Sequence, residues 1–219
     1  GRVTAYDVQS GAVLWRHYAN GPVRFAPVGW KDRVYVASDD GHVYCLDVRT
    51  GAGRWTFRAA PAGRPDRRHL GNGHLVSFWP VRGGPVLKDG TLYVGAGIWP
   101  HLGTSVYALD AETGQVRWRN ERLSHLADIR TDHNRIADSA LCPQGYMTLA
   151  GGRLLVANGR SMPVGLDSAT GKLLYYVQGY RNGHCRVTTY GKWIFVGTSG
   201  LLDVETGREM GGRWHEGLP

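Results

Sequence analysis

The chain has 219 residues, of which 42% are hydrophobic and 20% charged. That composition provides for a packed core of ordinary domain size and excludes wholesale disorder. The formal net charge is +8, but the cations are scattered singly apart from Arg64, Arg67 and Arg68, and no nucleic-acid-binding motif accompanies them, so nucleic acid is not an expected partner.

Thirty-two glycines, with eight tryptophans and eleven tyrosines, favour strands joined by many turns. In chain order, AYDVQSGAVLW (5–15) is the first of five related stretches. CLDVRTGAGRW (45–55), ALDAETGQVRW (108–118), GLDSATGKLLY (165–175) and LLDVETGREMG (201–211) follow. Asp7, Asp47, Asp110, Asp167 and Asp203 head the copies at intervals of 40, 63, 57 and 36 residues, and Gly11, Gly51, Gly114, Gly171 and Gly207 lie four residues beyond them. A period near 40 with two enlarged members points to a propeller or a solenoid. Each copy opens with a β-rich run such as DRVYVAS (32–38) or GTLYVGA (90–96). A second run, HVYCLD (42–47) or SVYALD (105–110), leads into the turn, and a third leaves it, GRWTFRA (53–59) or QVRWRNE (115–121). With an earlier run, as in RFAPVGW (24–30) or CRVTTYG (185–191), each unit becomes a four-stranded meander. The expected fold is therefore an all-β propeller of four-stranded antiparallel blades. Residues 1–18 form a partial blade and 19–57 a full one. Insertions enlarge the blades over 58–119 and 120–178, and 179–219 forms the last. These make about four and a half blades of one propeller segment.

The turn has its own logic. Aspartate accepts backbone N–H bonds across the bend, and glycine supplies a positive φ at low cost. Trp15, Trp55 and Trp118 are expected to wedge between blades, burying apolar area while satisfying the indole N–H. Cys45 is expected to be a buried small residue. No apolar run approaches the ~18 residues of a membrane-spanning helix. Cys45, Cys142 and Cys185 lack C-x-x-C spacing, so neither a zinc site nor a disulfide framework is indicated, and whether Cys142 and Cys185 pair stays open.

On these residues the chain resembles the quinoprotein alcohol dehydrogenase-like propellers with PQQ-like (pyrroloquinoline quinone) repeats. Their tryptophan-docking motif, Ala-x-Asp-x-x-x-Gly-x-x-x-Trp, is matched by Ala5, Asp7, Gly11 and Trp15, and again by Ala108, Asp110, Gly114 and Trp118. Cys45 replaces the alanine in the second copy, Tyr175 replaces the tryptophan in the fourth, and the fifth ends in Gly211. HLGNGHLVSFWPVRGGPV (69–86) and GKLLYYVQGYRNGHCRV (171–187) are similar to a subgroup of large bacterial proteins of this kind. Related propellers include a scaffold subunit of the outer-membrane β-barrel assembly machinery. The resemblance implies a fragment of a roughly eight-bladed propeller whose remaining blades pack on this segment, and a periplasmic or otherwise exported location. It also implies PQQ with calcium in dehydrogenase members. No Cys-Cys pair is present, however, and the repeated aspartates sit in turns on the outer part of the blade.

Function is therefore expected in what the repeats do not share. Residues 58–84 carry Arg64, Arg67, Arg68, His69, His74, Trp79 and Arg82. Residues 120–146 carry His125, Asp128, Arg130, Asp132, His133, Asp138 and Gln144. Long insertions in a compact fold are often functional. His125, Asp128, Asp132 and His133 include metal-ligand types but follow no recognised metal spacing, so no metal site is assigned. Strand starts near a central channel place Trp79, Arg82, Asp138, Gln144, Asn182, His184 and Arg186 as a candidate mouth for an anionic or carbohydrate-like ligand, or for a protein. No catalytic set is assigned. The expected role is a non-catalytic binding or scaffolding module, with a quinoprotein alcohol or sugar dehydrogenase segment as the alternative.

Overall fold

The computed structural model describes residues 1–71, 73–130, 135–159, 161–176, 183–197 and 200–210. Among these, strands follow one another as a series of small antiparallel sheets. β1 (Arg2–Tyr6) pairs with β2 (Val13–Tyr18). Strands β3 (Val28–Trp30), β4 (Arg33–Ala37), β5 (His42–Asp47) and β6 (Gly53–Arg58) make a four-stranded meander. The first insertion forms a separate hairpin, β7 (Arg68–Gly71) with β8 (His74–Ser77). Next come β9 (Val81–Lys88), β10 (Thr91–Ala96), β11 (Ser105–Asp110) and β12 (Val116–Asn120), with a 3-10 turn at Pro100–Leu102 between β10 and β11. The second insertion forms another hairpin, β13 (Leu126–Arg130) with β14 (Ile136–Ser139). After β15 (Gly145–Tyr146), strands β16 (Thr148–Ala150), β17 (Arg153–Asn158), β18 (Ser161–Asp167) and β19 (Leu173–Tyr175) form a further meander. Last are β20 (Val187–Tyr190), β21 (Trp193–Val196) and β22 (Gly200–Asp203).

One sheet departs from the simple meander. β15 adds to the β9 edge in parallel, with Gly145 opposite Gly83 and Tyr146 opposite Gly84, so that sheet has five strands. Two strand glycines make room for the approach. A Cβ on Gly95 would meet Pro143 Cβ at 2.5 Å, and one on Gly83 would meet the Gly95 Cα at 2.7 Å. The same segment reaches onward, since Tyr146 N donates to Cys185 O (2.7 Å). The starts of three consecutive units are thus joined through backbone.

The core is a sequence of layers between neighbouring sheets rather than one centre. Trp15, Val36 and Leu46 fill the first, and Tyr35, Val94, Tyr107 and Leu109 are prominent in the second. Leu141, Leu154, Val156 and Leu166 belong to the third, and Ile194, Val196 and Leu202 to the fourth. Face-to-face sheets in chain order, each burying apolar area against the next, are the packing of a propeller.

The five turns share one geometry. Asp47 Oδ1 accepts from Arg49 N (2.9 Å), Thr50 N (2.9 Å) and Thr50 Oγ1 (3.1 Å), while Gly51 N returns to Asp47 O (2.9 Å). Asp7, Asp110, Asp167 and Asp203 repeat the set. The turn glycines all take positive φ, from 66° to 74°. Each aromatic at the end of a copy lies over the turn of the following copy. Trp15 Nε1 donates to Val48 O (2.9 Å), Trp55 Nε1 to Ala111 O (3.2 Å) and Trp118 Nε1 to Ser168 O (3.0 Å). Tyr175 substitutes fully, with its hydroxyl donating to Val204 O (2.8 Å). A phenol is shorter than an indole in breadth but carries its donor at the tip, so the same carbonyl is satisfied. The middle turns receive a second donor: Tyr35 Oη reaches Ala111 O (2.8 Å) and Tyr93 Oη reaches Ser168 O (3.2 Å).

Candidate functional site

The polar centre of the molecule is built by the turn between β4 and β5, Ser38-Asp39-Asp40-Gly41. Both carboxylates are about 1% exposed. Asp39 meets two guanidinium groups, Arg24 Nε (2.6 Å) and Arg82 Nε (3.0 Å) and Nη2 (2.9 Å). Arg24 and Arg82 lie at the same place in successive Pro-Val-Arg segments, 22–24 and 80–82, so two consecutive units each contribute one cation. Backbone bonds hold the turn in position: Asp39 N donates to Pro22 O (2.8 Å) and Ser77 N donates to Asp39 O (2.7 Å). Burying one carboxylate between two guanidiniums satisfies it and leaves one net positive charge.

Asp40 closes a second network. It accepts from Asn20 N (2.9 Å), His42 N (2.9 Å) and Tyr44 Oη (2.6 Å). Burial by itself would raise the Asp40 carboxyl, but the hydrogen bonds of His42 and Tyr44 outweigh it and hold the group below the ordinary carboxylate range. The bond to Asp40 raises the His42 imidazole. His17, whose ring lies 5.1 Å from Tyr44, is lowered by burial, and its Nε2 has no partner among the described residues.

The residues expected at the mouth are distributed. Arg82 joins the Asp39 centre. Trp79 is 4% exposed and donates Nε1 to Leu102 O (2.9 Å). Asp138 lies on the β13–β14 hairpin and faces His125 at 3.6 Å, both well exposed. Gln144 N bonds Ala157 O (3.0 Å) beside the Asn158 bridge. His184 packs on Gly197 and accepts from Arg186 N (3.1 Å). Asn182, Asp132 and His133 lie outside the described residues. Among the described residues, no group of three or more His, Cys, Asp or Glu side chains is placed to hold a metal ion. Cys45, Cys142 and Cys185 are free thiols, and burial pushes the Cys45 thiol up to about 11. Sequence reasoning missed Asp39, Asp40, Arg24 and Tyr44. The available signals were the adjacent acids inside a hairpin turn and the recurring Pro-Val-Arg.

Two hollows accompany the insertions. One, of about 590 Å³, is open and lies beside Arg119, Glu121, Arg122, Leu123 and Lys172. The other, of about 140 Å³, lies between the first insertion and the β10–β11 connection.

Residues 1–76 and 67–200 match the family model of PQQ-like repeats described as outer membrane protein assembly factor BamB. The chain belongs to this PQQ-like repeat family. It is 27% identical over 165 residues to quinohemoprotein alcohol dehydrogenase ADH IIB of Pseudomonas putida, an alignment covering 69% of this chain and 22% of that protein. Among solved structures, BamB from Moraxella catarrhalis superposes with a TM-score of 0.64 at 20% identity, covering 96% of this chain and 57% of that one. Quinohemoprotein alcohol dehydrogenase ADHIIG from Pseudomonas putida HK5 gives 0.70 at 16% identity, over 96% and 38%. The chain thus spans about a fifth of that curated relative. These likenesses establish a shared propeller fold.

The PQQ-like repeats raise the question of the quinone itself. PQQ is a flat tricarboxylate, so a cradle needs a free aromatic face, unspent cations and oxygen ligands for the accompanying Ca²⁺. The residues described do not bring that set together: Arg24 and Arg82 are both committed to Asp39, the unpaired Arg64 and Arg67 border a hollow of only about 140 Å³, too small for a tricyclic quinone, and no group of three or more His, Cys, Asp or Glu side chains is placed to hold the Ca²⁺.

Proposed function

We propose that this PQQ-like repeat chain is a binding or scaffolding segment of an exported protein. The observation that carries the reading is the placement of the two insertions. Each leaves its sheet as an independent hairpin, β7–β8 and β13–β14, with apolar side chains held out to solvent: Leu70 (76% exposed), Leu75 (53%) and Ile136 (69%). Exposed apolar groups on an arm outside the core are what contact with another molecule uses. The repeated Asp, Gly and aromatic residues are engaged in holding sheet to sheet, which assigns the frame to Asp7, Asp47, Asp110, Asp167 and Asp203 with their glycines and rings. No helix among the described residues is long and apolar enough to cross a membrane. Partners are expected to be protein, with the remaining blades of the same chain as neighbours.

The second reading, a segment of a PQQ- and calcium-dependent alcohol or sugar dehydrogenase, is favoured by the names of the curated relatives. A spectral titration of the full-length protein with PQQ and Ca²⁺, followed by dye-linked oxidation of alcohols and sugars, separates the two. The binding-module reading expects neither saturable quinone binding nor turnover; stoichiometric binding with oxidation would overturn it.

A further inference from the structure

The smaller hollow has a lining that specifies a ligand. Arg64, Pro65 and Arg67 of the first insertion form one wall, Phe78 and Trp79 are the aromatic residues, and His101 and Leu102 close it from the β10–β11 connection. Its rim is set by the chain. Phe78 N donates to Arg67 O (2.9 Å), Arg64 N to Pro61 O (3.2 Å), and the Arg58 guanidinium donates to Arg64 O. Trp99, 44% exposed, stands beside His101 with ring centroids 6.5 Å apart.

Three features restrict what could enter. First, the Trp79 indole is already committed to Leu102 O, so the aromatic part offers surface but no free donor. Second, Asp66 pairs with Arg68 (3.4 Å), while the Arg64 and Arg67 side chains have no hydrogen-bond or ion-pair partner among the described residues. The lining residues contribute no carboxylate, and the two unpaired guanidiniums only donate, so the preference is for an anion over a sugar, which needs acceptors as well. Third, about 140 Å³ is well below the roughly 300–1,000 Å³ of a small-molecule site. It is the size for one side chain.

We infer that this hollow receives a single carboxylate on a short aliphatic stem, the glutamate or aspartate side chain of an extended partner segment. The carboxylate meets the Arg64 and Arg67 guanidiniums, the stem lies on Phe78 and Trp79, and neighbouring partner residues run over Pro65 and Trp99. This deepens the reading of the insertions as contact surfaces and rests on it.

The test uses full-length protein and four probes: the peptide Ac-Ala-Val-Glu-Val-Ala-NH₂, its Gln counterpart, glutarate and inorganic phosphate, each titrated by calorimetry. The Glu peptide is expected to bind saturably, and the Gln peptide about tenfold or more weaker, since hydrogen bonds to a charged group are the stronger kind. Arg64→Gln and Arg67→Gln should each weaken the Glu peptide by about tenfold. Arg49→Gln, which removes an exposed turn cation, should leave it unchanged. Equal binding of the Glu and Gln peptides, no binding of either, or an equal loss with Arg49→Gln would overturn the inference. So would glutarate or phosphate binding as tightly as the peptide, which would make the site one for a free anion. If the peptide fails while cross-links from Leu70 to a partner persist, the carboxylate receptor falls and the contact-surface reading stands.

Discussion

Two glycines that both hold a positive φ should respond differently to the same substitution. Gly152, in the turn between β16 and β17, has φ +74° and nothing within 4 Å of an added Cβ. Gly171 has φ +72°, but its Cβ would sit 2.4 Å from Cε3 of Trp118. Gly152→Ala therefore carries only the cost of a left-handed alanine, about 1–2 kcal/mol. Gly171→Ala adds the overpacking of an indole held at its far end by Ser168 O, for a total of roughly 2–5 kcal/mol. Urea titrations followed by tryptophan fluorescence and circular dichroism, compared at unchanged m-value, read the difference. A double-mutant cycle isolates the ring. In a Trp118→Ala background, Gly171→Ala should fall back to about the Gly152→Ala cost, giving a coupling of about 1 kcal/mol or more. Equal costs at Gly152 and Gly171, or no coupling in the cycle, would refute the claim that the ring is seated on the next turn.

Other outcomes follow from the same contacts. Tyr175→Phe should cost about 1 kcal/mol in urea denaturation, because it removes only the bond to Val204 O, whereas Tyr175→Trp should be tolerated better. Asp39→Asn should destabilise by about 1.5–3 kcal/mol and increase sulfate binding measured by calorimetry, since Arg24 and Arg82 lose their shared carboxylate. The turn carboxyls are all held below the usual carboxylate range. Asp110 is brought to about 2 by Arg117 and the Thr113 amide, and Asp47 is lowered by Arg54 and the Thr50 amide. Ser10, Thr170 and Thr206 lower Asp7, Asp167 and Asp203. Depressed folded values mean that this stabilisation is complete above about pH 4 and is lost as pH falls toward about 2. Melting temperature should therefore drop through that window, and a flat profile from pH 5 to pH 2 would contradict it.

The frame was legible because it repeats. An Asp, a hydroxyl residue and a Gly recur at fixed offsets in five copies, with a Trp in three of them, and encode a local turn and a contact to the next copy, so the period is exposed without any long-range information. Tyr175 departs from the tryptophan of the motif, yet its hydroxyl reaches the equivalent carbonyl, because the acceptor position matters more than the ring that serves it. The Asp39 centre was not legible for the opposite reason. Arg24, Asp39 and Arg82 are brought together only when successive sheets stack, and no spacing within one copy announces a pair formed between two. The parallel addition of β15 to β9 was hidden likewise: Gly83, Gly95 and Pro143 come from separate strands, and their shared smallness or shape gains meaning only in contact. Asp138 illustrates the limit of placing residues by strand start, since the hairpin carries it to His125 instead of to Arg82.

Contact with other molecules is proposed to belong to the insertions and not to the repeated turns. Site-specific photo-crosslinking in the full-length protein, with the same probe at Leu70, at Ile136 and at the exposed turn residue Arg49, tests it directly. Discrete adducts of one size from Leu70 or Ile136 and none from Arg49 are predicted. Adducts from Arg49 that equal or exceed those from both hairpins, or none from either hairpin, would contradict it.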